Sequence, residues 1–148
     1  MCAGLQLLGR EFSAEGEQPR AGLGLLDLCT GPAPRRAVGE IVANPCVAGV
    51  DQPLIGFENH QGHTVLGPAA RPLATVTHGV GNGDGSEGAV QGHVLATYLH
   101  GPVLARNPQL ADLLLAAVLG HPLPPLDLPS VTELRRQRLE AAGRSRTH

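Results

Sequence analysis

The feature that most constrains this chain is a cysteine at its second position, directly in front of a run that favours a helix. Cys2 is followed by the small residues Ala3 and Gly4 and then by leucines at positions 5, 7 and 8. A reactive thiol needs a sharp turn that exposes its sulfur, with backbone N–H groups nearby that favour the thiolate. The first turn of a helix offers such N–H groups. The pattern predicts a nucleophile at the mouth of a helix, in a turn of the kind that usually follows a buried β-strand.

The composition predicts a single domain with an aliphatic core. The chain has 148 residues, including two Phe, one Tyr and no Trp, and this length suffices for one sizeable core. Because the formal net charge is −2 and 16% of the residues are charged, neither nucleic acid nor an anionic membrane is an expected partner. We recognise no signal peptide and no long apolar run, and the cysteines lack CxxC spacing. We therefore expect a cytoplasmic protein without membrane insertion, in which Cys29 and Cys46 are small buried residues.

The middle of the chain predicts short strands. After the opening helix and a polar loop at 15–20, apolar runs and alternating patterns predict strands at 23–28, 36–42, 54–57, 64–66, 73–78 and 90–99. A polar cluster at 58–62 follows one of these strands. Residues 79–88 contain five glycines and predict a turn-rich loop.

The end of the chain predicts two helices. Asn107 is a candidate N-cap with Pro108 at the first helical position, and Gly120 stops the apolar face that follows. After a proline-rich connector, Ser130 and Glu133 have the spacing of a capping box for a last helix. We therefore divide the chain into a domain of residues 1–120 and a C-terminal part of residues 121–148, with a connector, a helix and a tail.

Among the seven histidines, His100 is the strongest candidate for chemistry. It ends the strand predicted at 90–99 and is followed by Gly101 and Pro102, which restrict its loop. Ligand-binding residues gather at strand ends in α/β sheets. A histidine there can favour the Cys2 thiolate as an imidazolium and later protonate a leaving amine.

Four motifs occur in order along the chain: residues 2–9 (CAGLQLLG), 22–26 (GLGLL), 56–62 (GFENHQG) and 97–102 (TYLHGP). Together they resemble the class I (triad-type) glutamine amidotransferase domains of the cobyric-acid-synthase-like group. The GFENHQG motif, and residues 104–108 before an Ala/Leu-rich helix, favour one branch of that group, the glutaminase subunits of lipid II isoglutaminyl synthases. The resemblance covers roughly residues 2–120.

The resemblance implies an α/β fold, a flavodoxin-like class I glutamine amidotransferase domain, and roles for several residues. Cys2 would attack the glutamine carboxamide, forming a thioester and releasing ammonia, and His100 would be the general base and acid. The Ala3 N–H would form half of the oxyanion hole. The family's substrate-binding arginine falls on Arg36 through an Arg-x-x-Gly-acidic pattern, where a guanidinium can grip the α-carboxylate of glutamine. A shift of one residue would give that role to Arg35.

Within the GFENHQG motif, the resemblance implies that Glu58 and His60 line or brace the substrate pocket, and a hydrogen-bonded structural turn explains them equally well. Triad-type relatives often carry an acid two residues after the histidine, and here that position is Pro102. We therefore expect a partner subunit to help orient the imidazole.

In the family, the nucleophile follows several strands and a glycine-rich loop that supplies the other half of the oxyanion hole. We therefore expect these 148 residues to be an N-terminally truncated domain, lacking its N-terminal strands. Little activity is expected of it alone, since losing an oxyanion donor costs about 10²–10³ in rate.

The resemblance implies glutamine as substrate and a Mur-ligase-like synthetase as partner, which would bind ATP and amidate the D-glutamate of lipid II in peptidoglycan synthesis. We expect no cofactor and no metal in this chain. Three alternatives stay open: a cobyrinic or cobyric acid amidotransferase domain, an inactive truncated binding subunit, and an N-terminal-nucleophile amidotransferase whose α-amine is the base. The last of these fits the motifs at 6–9 and 99–102 badly.

Overall fold

The computed structural model describes residues 3–144, which form a six-stranded sheet, a two-stranded hairpin and four helices. The helices are α1 (Ala3–Leu8), α2 (Val103–Arg106), α3 (Pro108–Leu119) and α4 (Pro129–Arg144). The strands are β1 (Glu11–Phe12), β2 (Arg20–Ala21), β3 (Leu28–Pro45), β4 (Leu54–Leu66), β5 (Ala74–His78), β6 (Ser86–Glu87), β7 (Ala89–Gln91) and β8 (Val94–Ala96). This combination of a central sheet with helices confirms the predicted α/β class.

The long strands β3 and β4 form the middle of the sheet as an antiparallel ribbon. Along β4, from residue 56 to residue 65, the even-numbered residues are buried and the odd-numbered ones are more exposed. Such alternation is typical of a strand with one face in the core. The buried face of β4 therefore carries Glu58 and His60, and the outer face carries Asn59.

A bulge interrupts this ribbon. Residues 33–36 of β3 lie opposite a single residue of β4. Pro32 and Pro34 stand at this point, and proline has no N–H to donate to a ladder. Bulges bend a strand and re-aim its side chains. Here the side chains carried by the bulge include Arg35 and Arg36.

Shorter strands extend the sheet on both sides of β3. The strand β1 runs parallel to the first part of β3, and β2 lies antiparallel at the outer edge of β1. On the other side β5 runs antiparallel to the last part of β3, and β6 continues beyond it. The strands β7 and β8 form a separate hairpin, after which His100 bridges to Phe57 of β4. This bridge attaches the hairpin side of the molecule to the central ribbon.

Two apolar clusters hold these layers together. One packs Ile41 and Leu54 of the ribbon against Leu110 of α3. The other packs Leu5 of α1 against Tyr98, in the segment after β8. Since full burial of one large apolar side chain stabilises by about 1.5–3 kcal/mol, the second cluster keeps α1 beside the segment that carries His100.

The strand predicted at 23–28 is wrong, because β3 begins only at Leu28. Residues 22–26 fold back on α1 instead, with hydrogen bonds such as the one from the Leu23 N–H to the Leu7 carbonyl at 2.8 Å. The Leu23 side chain is largely exposed. The short apolar run therefore belongs to a loop that packs back against α1 and not to a buried strand.

Two further strand predictions are corrected. The strands predicted at 54–57 and 64–66 belong to one strand, β4, so residues 58–62 are extended and do not form a turn. The single strand predicted at 90–99 is wrong, because this segment is the β7–β8 hairpin, turned at Gly92. The Gly92 φ of 57° lies in the left-handed region that glycine adopts without strain.

The two described cysteines are exposed, so the prediction that they are small buried residues is wrong. Cys29 lies on β3 between the buried residues Leu28 and Thr30 and therefore faces the opposite side of the strand. Cys46 follows β3, with its Sγ 3.5 Å from the Thr75 hydroxyl oxygen.

The helix α3 confirms the one predicted after Asn107. Pro108 is its first residue, and Gly120 ends it in the left-handed conformation with a φ of 78°. The Asn107 side chain makes no cap hydrogen bond. Its amide oxygen accepts from the Ile55 N–H at 2.9 Å, and its amide nitrogen donates to the Ile55 carbonyl at 2.8 Å. Asn107 thus attaches the start of α3 to β4.

The helix α4 contacts β3, β4 and α2. Its buried Arg135 donates to the carbonyl oxygen of Pro53 at 2.7 Å and to the Asn107 side chain at 2.9 Å. The capping box predicted from Ser130 is wrong, because α4 already begins at Pro129.

The division into residues 1–120 and 121–148 stays a prediction, although the helix beyond the boundary packs on the sheet before it. Within residues 3–144, no helix combines the length and the apolar character needed to cross a membrane.

Candidate active site

His100 lies between the β7–β8 hairpin and the middle of β4. Its backbone N–H donates to the Phe57 carbonyl at 2.8 Å, and its ring Nδ1 lies 2.8 Å from the carbonyl oxygen of Tyr98. Because a carbonyl oxygen only accepts hydrogen bonds, this contact assigns the proton of the neutral ring to Nδ1 and its lone pair to Nε2. The backbone thus selects the imidazole tautomer in which Nε2 can act as a general base.

A cavity of about 280 Å³ lies beside His100. The first turn of α1, at Gly4 and Leu5, forms one side of it, and residues 97–101 form the other. Leu5 is buried in the same apolar cluster as Tyr98, which explains why these two walls stay together. The helix predicted to follow the nucleophile and the predicted general base therefore share one cavity.

The predicted nucleophile, Cys2, lies outside the described residues. Ala3, whose N–H is predicted to form half of the oxyanion hole, is the first residue of α1 and is half-buried. The pairing of Cys2 with His100 and the role of Ala3 therefore stay predictions. The first turn of α1 borders the same cavity as His100, as both predictions require.

Glu58 lies on the buried face of β4 and is 2% exposed. Its two carboxylate oxygens accept hydrogen bonds from the backbone N–H groups of Val80 (2.8 Å) and Gly81 (2.9 Å), in the glycine-rich loop after β5. The Nε2 atom of His60 lies 3.4 Å from Oε2. Burial alone disfavours the charged form, but the two backbone hydrogen bonds and the nearby His60 ring outweigh it and hold the pKa of Glu58 below its ordinary value. Glu58 therefore anchors the loop to β4 as a carboxylate.

His60 stands two residues further along the same face, and its side chain is also buried. Its ring stacks on Tyr98, with the ring centroids 3.9 Å apart and the planes 9° from parallel, and its Nδ1 lies 3.2 Å from the Gly62 carbonyl oxygen. The Tyr98 hydroxyl in turn lies 2.7 Å from the Thr64 hydroxyl oxygen. Neither His60 nor Glu58 lines the cavity. They brace Tyr98 and the glycine-rich loop behind it, and a direct contact with substrate stays a prediction.

A second buried carboxyl group, that of Glu87 on β6, is a site residue that the sequence analysis misses. Its Oε1 accepts hydrogen bonds from the Thr97 hydroxyl and from the Tyr98 N–H, the latter at 2.8 Å. Among the described residues, Oε2 has no hydrogen-bond partner. Burial therefore prevails and raises the pKa of Glu87. Its neighbours Ser86 and Gly88 have the composition of a solvent-exposed turn, so no pattern marks this carboxyl group as buried.

Arg35 and Arg36, the two candidates for substrate binding, lie exposed in the bulge of β3. Arg36 Nε donates to the Asn59 side-chain oxygen at 2.8 Å. Asn59 is on the outer face of β4, opposite to Glu58, and neither arginine lines the cavity beside His100. The structure thus gathers His100 and the buried carboxyl groups in one region and places Arg36 on the other face of β4. The substrate-binding role of either arginine stays a prediction.

Comparison with known proteins agrees with the four sequence motifs. Residues 1–108 match the family model of the CobB/CobQ-like glutamine amidotransferase domain. This range contains the helix α1, the central ribbon and the TYLHGP motif that ends in the His100 loop. The mixed α/β architecture described above is consistent with a class I glutamine amidotransferase domain.

Individual relatives point the same way. Over 144 residues the chain is 33% identical to the subunit GatD of lipid II isoglutaminyl synthase (glutamine-hydrolyzing) from Staphylococcus aureus, covering 94% of this chain and 57% of that protein. The subunit GatD from Streptococcus pneumoniae is 35% identical over 122 residues, 80% of this chain and 46% of its own length. A cobyric acid synthase from Sphingopyxis alaskensis is 36% identical over 125 residues, 80% of this chain and 24% of its own length.

The chain thus spans about half the length of the two GatD relatives that it matches. The family match covers most of the sequence, and it includes the cavity between α1 and His100. This chain belongs to the family of CobB/CobQ-like glutamine amidotransferase domains.

Proposed function

We propose that the chain is the glutaminase part of an amidotransferase, which releases ammonia from glutamine through a thioester on Cys2. The observation that carries the proposal is the geometry of His100 within a member of this family. Its Nδ1 is bound by the Tyr98 carbonyl, its Nε2 carries the lone pair, and its ring shares a cavity with the first turn of α1. A general base is needed at this place if the residue before α1 is the nucleophile.

In the proposed reaction, His100 Nε2 takes the proton of the Cys2 thiol, and the thiolate attacks the side-chain carboxamide carbon of glutamine. The imidazolium then protonates the leaving nitrogen, so the C–N bond breaks, ammonia departs and a thioester remains. Next, His100 takes a proton from water while the water oxygen attacks the thioester carbon. The C–S bond breaks, the imidazolium returns the proton to the sulfur, and glutamate leaves. The Ala3 N–H would stabilise the oxyanion in both stages.

We propose further that the ammonia amidates the D-glutamate of lipid II on a Mur-ligase-like partner subunit, which supplies the ATP site. The names of the two GatD relatives support this acceptor, since they belong to a glutamine-hydrolyzing lipid II isoglutaminyl synthase. The S. aureus match also extends over 144 residues and so includes most of the C-terminal helical part. Glutamine and ATP are both cytoplasmic metabolites, and we place the reaction in the cytoplasm.

A cobyrinic or cobyric acid amidotransferase is the second candidate. The observation in its favour is an identity of 36% to a cobyric acid synthase, as high as the identity to the GatD subunits. The two candidates share the glutaminase half-reaction and differ only in the acceptor. An assay that offers lipid II or a cobyrinic acid diamide separates them.

The test is glutamine-dependent ammonia release, measured for the 148-residue chain and, in parallel, for the chain together with any in-frame coding sequence upstream of Met1. Each form is assayed alone and with the Mur-ligase-like partner. We expect the longer form with its partner to be the faster, and Cys2→Ala, Cys2→Ser and His100→Gln to abolish hydrolysis.

The matched control is Cys46→Ala, which removes an exposed thiol and should leave the rate unchanged. If Cys46→Ala and Cys2→Ala reduce the rate equally, the nucleophile assignment is wrong. If no form releases ammonia with the partner present, the chain is a non-catalytic binding subunit. Robust hydrolysis by the 148-residue chain alone would instead favour the N-terminal-nucleophile mechanism.

Substrate binding by Arg36 is tested in the same assay. Arg36→Ala should raise the glutamine KM by about tenfold or more, since a hydrogen bond to a charged group contributes about 1.5–3 kcal/mol. The effect on kcat should be smaller, because a carboxylate grip acts equally on substrate and transition state. Arg35→Ala is the matched control. A KM effect at Arg35 and none at Arg36 would move the assignment by one residue.

A further inference from the structure

A continuous run of hydrogen bonds links the buried Glu87 carboxyl group to the His100 ring. The Thr97 hydroxyl donates to Glu87 Oε1, and the Leu99 N–H donates to the Thr97 hydroxyl oxygen at 3.0 Å. The Leu99 N–H and the Tyr98 carbonyl are the two ends of one peptide group. That carbonyl accepts from His100 Nδ1 at 2.8 Å. Four groups, a carboxyl, a hydroxyl, a peptide and an imidazole, are therefore bonded in sequence.

The preceding peptide group is bound to the same carboxyl oxygen. The Tyr98 N–H donates to Glu87 Oε1 at 2.8 Å, so Glu87 holds the peptide before Tyr98 directly and the peptide after it through Thr97. A peptide group is planar, and fixing the direction of its N–H fixes the direction of its C=O. The Tyr98 carbonyl is thus aimed at the His100 ring by contacts on the far side of the peptide.

These contacts also strengthen the carbonyl as an acceptor. Hydrogen bonds in a chain polarise one another, more so in a region of low dielectric. Glu87 is fully buried and Leu99 is 5% exposed, so water does not compete for most of the chain. The result is a firm, neutral acceptor for Nδ1 at the place where a carboxylate often serves in histidine-dependent enzymes.

We propose that Glu87 and Thr97 are positioning residues that hold the Tyr98 carbonyl on His100 Nδ1 and thereby fix the ring in its Nδ1–H tautomer. Both act on the ring through the Tyr98 peptide group. Glu87 lies outside the cavity beside His100, and Thr97 borders it. Position 102, two residues after His100, is a proline, so the acid expected there by resemblance is replaced by a carboxyl group that acts through a hydroxyl and a peptide. The kinetic consequence rests on the proposed glutaminase function, whereas the tautomer does not.

The tautomer is measured by ¹H–¹⁵N correlation of the histidine rings in the ¹⁵N-labelled 148-residue chain, at a pH where imidazole is neutral. The His100 signals are identified by their loss in His100→Gln. We expect the wild-type ring in the Nδ1–H form. A wild-type ring in the Nε2–H form overturns the proposal without recourse to any variant.

Two substitutions at Thr97 separate the hydroxyl from the side-chain volume. Thr97→Val removes the hydroxyl at nearly constant shape and should give a mixture of both His100 tautomers. Thr97→Ser keeps the hydroxyl and should retain the Nδ1–H form. Thr77→Val is the matched control, since Thr77 bonds the Val42 carbonyl elsewhere in the sheet at 3.1 Å. If Thr97→Val and Thr97→Ser change the tautomer equally, or neither changes it, the hydroxyl is not the link and the proposal is wrong.

Substitutions at Glu87 test the other end of this run of hydrogen bonds. Glu87→Gln keeps an acceptor oxygen and should leave the His100 tautomer as in the wild type, whereas Glu87→Leu should shift it as Thr97→Val does. Folding of each variant is checked by amide protection of β3 and β4. A folded Glu87→Leu variant with an unchanged tautomer would show that Glu87 holds no part of the ring's orientation.

Kinetics then connect the tautomer to turnover. In the assay of glutamine hydrolysis, Thr97→Val should lower kcat by about tenfold to a hundredfold, a part of the 10²–10⁴ that general acid–base catalysis contributes in full. The glutamine KM should change less than kcat, since the Thr97 hydroxyl is bound to Glu87, and Thr97→Ser should restore kcat. If the tautomer shifts as expected but neither the wild type nor any variant hydrolyses glutamine, the positioning role of Glu87 and Thr97 is correct and the proposed function is wrong. If the tautomer shifts and kcat does not change, the hydrogen bonds from Glu87 to His100 do not serve catalysis.

Discussion

The two buried carboxyl groups near the cavity, those of Glu58 and Glu87, have opposite surroundings. We call each carboxyl group with its hydrogen-bond donors a corner. At the Glu58 corner, each carboxylate oxygen receives a backbone N–H from the loop at Val80 and Gly81, and His60 stands beside one of them. At the Glu87 corner, two donors share one oxygen and none among the described residues reaches the other. Both side chains are almost fully removed from solvent.

The difference teaches that burial alone does not fix the charge of a carboxyl group. Desolvation raises the pKa of both groups, and hydrogen bonds to the charged form lower it. At Glu58 the hydrogen bonds outweigh desolvation and its pKa falls, whereas at Glu87 desolvation prevails and its pKa rises. Glu58 is therefore a carboxylate that anchors a loop. Glu87 only needs to accept hydrogen bonds, from Thr97 and Tyr98.

The largest expected effect comes from emptying the Glu58 corner. Glu58→Ala leaves the N–H groups of Val80 and Gly81 without their acceptor. We expect it to lower the free energy of unfolding by about 2–6 kcal/mol, since each donor left without its acceptor in a buried site costs about 1–3 kcal/mol. Urea unfolding at neutral pH measures this loss.

The matched control for that prediction is Glu40→Ala on the neighbouring strand. The Glu40 carboxylate is partly exposed and pairs with Arg106 at 3.3 Å and Arg138 at 3.5 Å. Because exposed ion pairs contribute about 0–1 kcal/mol, its removal should cost far less. Equal losses for the two variants would contradict the view that Glu58 is an anchor.

An intermediate effect is expected in the pH dependence of stability, where the two corners should respond with opposite sign. The ordinary pKa of both groups is 4.5. Glu58, with a lowered pKa, contributes stability that is present above pH 4.5 and lost as the pH falls through its folded-state pKa. Glu87, with a raised pKa, contributes stability that is present below pH 4.5 and lost as the pH rises through its folded-state pKa.

Two conservative variants test these signs. Relative to wild type, Glu87→Gln should gain stability as the pH rises above 4.5, whereas Glu58→Gln should be least favourable near neutral pH and approach wild type in acid. The double variant should lack both dependences. Parallel curves for the two single variants would show that the corners do not differ in charge.

The same contrast shows how far the sequence predicts the fold. The helix α3 is predicted well, because Pro108 at its start and Gly120 at its end are local chemistry that the neighbouring residues determine. The extent of β4 is not predicted, because its polar residues 58–62 read as a turn. Their extended conformation depends on pairing with β3 and on side-chain contacts with the loop at 80–81 and with Tyr98, all of which lie far away in sequence.

The site divides in the same manner. His100 is predicted because it stands in a recognisable motif between an apolar run and Gly101. Glu87 is missed because its partners lie 10 and 11 residues further along the chain and only the turn of the β7–β8 hairpin brings them back. The burial and charge of Glu87 arise only when the sheet is assembled, so hydrophobic periodicity in the sequence does not predict them.

The smallest expected effect comes from the residue that touches both corners. Tyr98 stacks on His60 in one corner and donates its N–H to Glu87 in the other, while its hydroxyl joins a separate chain with Thr64 at 2.7 Å that continues to Thr30 at 2.9 Å. Tyr98→Phe keeps the ring and the N–H and removes only the hydroxyl. We expect it to lower the free energy of unfolding by about 1 kcal/mol, the net contribution of one hydrogen bond.

This variant sharpens the comparison because it should leave both pH dependences in place. If the corners are set by their own donors, combining Tyr98→Phe with Glu58→Gln or with Glu87→Gln should give losses that add within about 0.5 kcal/mol. Urea unfolding of the single and double variants at pH values on either side of 4.5 measures the coupling. A Tyr98→Phe variant in which either pH dependence disappears would mean that the hydroxyl chain couples the corners. The charge of each carboxyl group would then belong to the whole polar layer and not to its nearest donors.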